Sequence, residues 1–228
     1  MTEMVQKTIN YMREKQAGES TGHDWWHTKR VYDMAIYLAE RQSEDVNMEI
    51  VALGALLHDI EDWKFNDGDE DAGPAAAAKW LESLGADEAT ITHIKHIIRD
   101  LSFKGSDTGS MQSIEGMIVQ DADRLDAVGA IGIARTFAFG GKLGSEVFNP
   151  EMPARVNITG SEYKDKNIKM TTVNHFYEKL FKLKNLYNLP EAQNIGLMRH
   201  AYLKAFMRTL LEECNATDTQ QYRLLDEL

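Results

Sequence analysis

Two histidines and two aspartates, set on separate apolar stretches, carry the chemistry most legible in this sequence. His58-Asp59 closes an apolar run from Ile50 to Leu57. His27 precedes it on another stretch of helical period, and Asp123 follows inside VQDADRLDA. Burying such groups without partners costs several kcal/mol, on the order of 2–7 for a polar group and more for a charge. A divalent cation shared by all four would be the partner. Each residue also has a plainer reading: a hydrogen-bonded half-buried histidine, a chance dipeptide, or an aspartate paired with Arg124 or backed by Asp126. Together they favour a metal. An N2O2 donor set without sulfur suits manganese first, with magnesium, iron, cobalt or nickel as alternatives, over a structural zinc site.

The elements that must position these groups read as helices nearly throughout. Met4, Val5, Ile9 and Met12 form one stripe, which Gly18 can end. A second helix spans about Asp24–Arg41. Its Val31, Ala35 and Leu38 share a face with His27 and aim that imidazole inward. Asn47 is a good N-cap for a third helix, about Met48–Asp62. Gly54 and Ala55, one turn before His58, leave room beside it. Pro74 suits a first helical position and Gly85 a C-terminal stop. A helix of about Glu88–Leu101 carries Ile91, Ile94 and Ile98. Ser113 caps the next helix, which holds Asp123 and runs on toward AVGAIGIARTFAF, where Gly129 and Gly132 permit close packing. Gly140 to about Met170 shows little periodicity and reads as a lid or binding loop, with room for a short hairpin within Glu146–Ile168. Helices of about Thr171–Leu186 and Glu191–Glu213 follow. The expectation is one all-α domain over residues 1–228, with a motif core of about 20–140 and C-terminal helices packed back on it.

Composition narrows the function. With 43% hydrophobic and 27% charged residues in 228, the chain resembles ordinary globular proteins. No apolar run approaches the roughly 20 residues of a membrane span, and the N-terminus lacks a signal-peptide core. Cys214 is the only cysteine, so an internal disulfide is excluded and a reducing cytoplasm is expected. It reads as a packed thiol. A net charge of −11 argues against nucleic-acid polymers as partners. Exposed faces on the Met-rich helices would permit a homodimer.

The segments GHDWWHTKRV, ALLHDIEDWKF and VQDADRLDAVGAIGIARTFAFGG resemble the motifs of the HD-domain superfamily of metal-dependent phosphohydrolases. They are most similar to its small bacterial nucleotide pyrophosphohydrolases, and the likeness extends through NHFYEKLFKLK. The resemblance implies an all-α HD-domain bundle. It maps the family pattern H…HD…D onto His27, His58, Asp59 and Asp123, the last through its ADRL element. Asp126, one turn on, would support the ligands by a hydrogen bond.

Asp62 lies four residues after His58 and Glu61 three, so on a continuing helix either carboxylate nears the metal. Either could accept a proton from metal-bound water, or be a solvated helix-end group. Related guanosine-polyphosphate hydrolases resemble this with HDxxED, one residue longer than the HDIED found here, which leaves Asp62 ahead of Glu61. His23 falls at the site edge or the helix start. His93 and His96 lie on one face beside Ile94 and Ile98, and read as structural or site-edge groups rather than a second metal site. For phosphates the candidates are Lys104 in SFKG, Arg135 in GIARTFAF, and His175, Lys179 and Lys182, which helical spacing would align as one basic stripe. Tyr177 and Phe176 could stack on a base, Phe176 more readily being core. No P-loop pattern is present. The expected activity is nucleoside triphosphate cleavage to monophosphate and pyrophosphate. The alternatives are a 5'-nucleotidase-type phosphomonoesterase and a non-catalytic metal- or nucleotide-binding sensor.

Overall fold

The computed structural model describes residues 1–61, 69–101, 111–156, 159, 162 and 169–228. Among them are ten α-helices and no strand. The chain divides into two compact units, Met1–Phe103 with Gly109–Asp123, and Lys104–Thr108 with Arg124–Leu228. No helix among the described residues is long and apolar enough to cross a membrane.

The first unit is built around α3, Met48–Leu57. Every residue from Ile50 to Leu57 is buried, as expected of a helix apolar on all sides. Asn47 starts it by accepting from the backbone of Glu49 and Ile50. Three helices pack on it: α1 (Glu3–Lys15), α2 (Trp25–Ala39) and α5 (Glu88–Leu101). α4 (Ala72–Ser83) lies on α5. α6 (Ile114–Asp126) approaches at Gly54, where an added Cβ would meet Val119 at 3.4 Å and Ile97 at 3.5 Å. α1 is pinned along its length. Thr2 donates to Glu49 at 2.5 Å, Trp80 donates to Thr8 at 2.9 Å, and Tyr11 stacks on Trp80.

The second unit holds α7 (Gly129–Leu143), α8 (Thr172–Glu178), a 3-10 segment (Leu180–Asn185), α9 (Pro190–Glu213) and α10 (Gln220–Glu227). α9 packs on α7, on the 3-10 segment and on α10. Phe137, Phe176, Phe181 and Phe206 form an aromatic cluster in it, with Phe176 and Phe181 fully buried.

Several elements depart from the sequence expectation. α3 stops at Leu57, where Ile60 closes a tighter turn onto the Leu57 carbonyl at 3.1 Å. α6 and α7 are separate, because Gly129 takes φ +77°, a conformation costly for residues with a Cβ. α4 begins at Ala72, which puts Pro74 two residues in. The helix expected over Thr171–Leu186 breaks at Lys179, φ −134°, ψ −61°. α10 was not expected. Of the aperiodic segment, the described part around Met152–Arg155 is tied down: Asn174 and Gln221 donate to the Met152 carbonyl, and Ala154 donates to Gln220. Of the hairpin region, residues 157–158, 160–161 and 163–168 lie outside the described residues, and the described remainder contains no strand.

Candidate metal centre

His27, on the first turn of α2, is held inward by the same stripe that buries Val31, Ala35 and Leu38. Asp24 caps that helix by accepting from the His27 backbone at 2.9 Å. His58 is the residue at which α3 ends. Both imidazoles are buried and their Nε2 atoms stand 3.1 Å apart. The Asp59 carboxylate lies 3.3 Å from His27 Nε2 and 3.4 Å from His58 Nε2. Asp123 Oδ1 lies 3.6 Å and 3.8 Å from the same two atoms. Among the described residues, the set whose donor atoms all fall within 4.8 Å of one another is His27, His58 and Asp59. Asp123 reaches both imidazoles but stands outside that mutual set.

These separations fit a common cation. Donors about 2.0–2.2 Å from one ion are about 3 Å apart when they occupy adjacent positions. Two ring nitrogens and two carboxylates that converge this closely need positive charge among them. The tautomer also fits: His58 Nδ1 lies 2.7 Å from the Ala55 carbonyl, which leaves Nε2 as the donor to a metal. The residues present can therefore hold a divalent ion.

In the metal-free protein a proton does part of this work. Burial alone would lower the His58 pKa, but the charge and hydrogen bond of Asp59, with Asp123 beyond, raise it to about 9. Burial would conversely raise Asp59, yet the His58 charge and the hydrogen bonds of both imidazoles hold it well below the ordinary carboxylate value. A metal must displace this proton.

The remaining sequence candidates divide clearly. His23 sits beside the centre, its ring edge-on to His27 with centroids 5.8 Å apart, and contacts Thr21. Glu61 receives Lys15 at 2.6 Å. Asp62 and Lys104 lie outside the described residues. In the second unit, Asp126 is buried and accepts from Arg135 at 2.9 Å. Arg124 donates to the Leu186 carbonyl. The break at Lys179 means that His175, Lys179 and Lys182 do not continue on one α-helical face. Phe176 is fully buried. Tyr177 is buried too and donates to the Gln221 carbonyl, so neither ring is placed to stack on a base. Cys214 is exposed rather than packed. His93 bonds Ser113 at 2.8 Å and approaches Glu115 at 3.7 Å, as a structural histidine does.

Sequence reasoning missed the Ala55 carbonyl, which fixes the His58 ring, and the contribution of α1. A main-chain carbonyl has no signature beyond its i−3 spacing. Lys15 and Gln16 read simply as the polar end of an amphipathic helix.

A model of the HD domain matches residues 25–128, the span that holds all four converging residues. The Bacillus subtilis protein YpgQ is 34% identical over 206 residues, 89% of each chain. A Lactobacillus plantarum protein of solved structure is 33% identical with a TM-score of 0.83, over 95% of this chain and 99% of that one. An HD-superfamily hydrolase from Bacillus thuringiensis is 40% identical with a TM-score of 0.68, over 94% and 98%. The crystal structure of YpgQ in complex with ADP superposes with a TM-score of 0.68 at 30% identity, over 92% and 97%.

Proposed function

This chain belongs to the HD-domain family of metal-dependent phosphohydrolases, and on that premise we propose that it hydrolyses a nucleotide, with nucleoside triphosphate cleaved to monophosphate and pyrophosphate as the reaction. The convergence of His27, His58, Asp59 and Asp123 is the observation that carries the reading. The complex of YpgQ with ADP supports a nucleotide as the ligand.

A divalent ion held there, manganese in this reading, supplies a more acidic water and neutralises phosphoryl charge. The protein's own residues then have separable tasks. His27, His58, Asp59 and Asp123 fix the ion. His58 is oriented by Ala55, and the charge of Asp59 offsets that of the ion. A carboxylate shortly after Asp59 in the sequence takes the proton of the attacking water. The reading gives this to Asp62, because Glu61 is engaged by Lys15. Lys104, Lys179 and Lys182 are assigned to the phosphates on their cationic chemistry, His175 as a hydrogen-bonding group beside them, and His23 to the edge of the site on its approach to His27. Arg135 shares its charge with Asp126, so that pair acts as a unit. Catalysis of this class rests on positioning and charge stabilisation.

The test is a nucleotide panel on manganese-loaded protein, read by product. Pyrophosphate from a triphosphate supports the proposal. Orthophosphate from a monophosphate would make the protein a phosphomonoesterase on the same centre, and no turnover across the panel would leave a binding module. Asp59→Asn is expected to abolish metal retention, whereas Asp62→Asn spares it and slows turnover by about 100-fold or more. Equal metal loss in both variants would refute the separation of roles.

A further inference from the structure

We infer that Lys15, the last residue of α1, and Gln16, its C-cap, are positioning residues that clamp the two ligand-bearing segments of the metal centre together. The inference rests on the metal reading above. Lys15 and Gln16 are neighbours in sequence, and each grips a residue close to a different ligand. Gln16 accepts from the Thr28 hydroxyl at 2.9 Å, and Thr28 follows His27 directly. Lys15 donates to Glu61 at 2.6 Å, two residues after Asp59. One short stretch of chain thus spans from the start of α2 to the end of α3, the two segments that must hold their imidazoles 3.1 Å apart.

The Gln16–Thr28 contact is unusual enough to require a reason. Gln16 is 7% exposed and Thr28 is fully buried. Among the described residues the Gln16 amide nitrogen is buried with no hydrogen-bond partner. A buried, half-satisfied amide is unfavourable compared with an apolar side chain of the same size. Leucine would fill this place in an ordinary helix interface. What glutamine adds is a directional bond to the residue beside His27, and direction is what a ligand set requires. Lys15 holds the other side by its charge, and the Glu61 turn is confined from behind. A Cβ at Gly73 on α4 would stand 2.9 Å from the Glu61 carbonyl. The turn after His58-Asp59 therefore has Lys15 of α1 bonded to its Glu61 side chain and α4 so close at Gly73 that only a glycine leaves room for the Glu61 carbonyl.

Metal affinity is the readout, because a contact that only stabilises the fold would leave it unchanged in folded protein. Metal-stripped protein is titrated with Mn(II) by calorimetry, and thermal unfolding is followed in parallel. Lys15→Met and Gln16→Leu are expected to weaken Mn(II) binding about fivefold to tenfold each, below the 10–100-fold typical of groups bonded directly to a ligand. Lys15→Arg, which keeps the charge, is expected to restore it. Thr2→Val serves as the control. It removes the Thr2–Glu49 bond at the other end of α1 and should lower the melting temperature without changing Mn(II) affinity. Lys15 is partly exposed, so Lys15→Met tests the clamp even if Gln16→Leu fails to fold. Binding within twofold of the unsubstituted chain in Lys15→Met would overturn the clamp alone. So would an equal loss in Thr2→Val. An unsubstituted chain that binds no Mn(II) would overturn the metal reading, and the clamp with it.

Discussion

At the scale of single residues, the surroundings of His58 favour its protonated form, and this gives the metal-stripped centre a definite pH dependence. The His58 pKa is raised to about 9 by its surroundings, Asp59 foremost among the charges, against about 6.5 in an unfolded chain. A group raised in this way stabilises the fold fully below the unfolded value, and the contribution is lost as pH rises through the folded one. The metal-stripped protein should therefore melt at progressively lower temperature between about pH 6.5 and pH 9. Asp59→Asn should flatten that slope, which differential scanning calorimetry at several pH values would reveal. Mn(II) must expel the same proton. Affinity should rise with pH up to about 9, and calorimetry in buffers of different ionisation enthalpy should detect a released proton. A pH-independent affinity with no proton release would contradict the assignment of His58 as protonated in the metal-free state.

At the scale of elements, the sequence read local chemistry well and helix ends poorly. The caps at Asn47 and Ser113 depend on bonds within three residues, so they are visible in the sequence. The end of α3 at Leu57 and the break at Lys179 are not, because each lies in an otherwise acceptable helical pattern. At the second position, Tyr177 bonds Gln221 and Glu178 pairs with Arg155 at 2.8 Å, both distant in sequence. Two glycines make the same point testably. A Cβ at Gly132 would stand 2.3 Å from the main chain of Ala127, which cannot move aside as a side-chain tip can. Gly132→Ala should cost about 1–3 kcal/mol, read as a fall in melting temperature. Gly73→Ala would press on the Glu61 carbonyl. It should lower Mn(II) affinity as well as stability, whereas Gly132→Ala should affect stability alone in metal titrations of the folded protein.

At the scale of the whole molecule, charge decides what can approach. The net charge of −11 repels anions that come within about 10 Å, the screening length at 0.1 M salt, and is little felt beyond it. For an anionic nucleotide, kcat/KM should rise as salt is raised from low concentration. A steep fall instead would mean that local cations outweigh the net field. Duplex DNA should show no binding in a mobility-shift experiment, since a polyanion reader needs a basic face and displays strong salt weakening.

The structure brings His27, His58 and Asp59 together, with Asp123 reaching both imidazoles. The sequence pointed to these four through residue type, apolar setting and motif resemblance, and the helical class was readable too. These are properties of short stretches of chain, fixed by period and by the cost of burying polar groups. The three-dimensional arrangement decided the rest. It set the 3.1 Å approach of the two imidazoles, the carbonyl that orients His58, the pairing of Glu61 with Lys15 and that of Asp126 with Arg135. Such contacts join residues by packing and direction rather than by sequence spacing, and no local pattern records them.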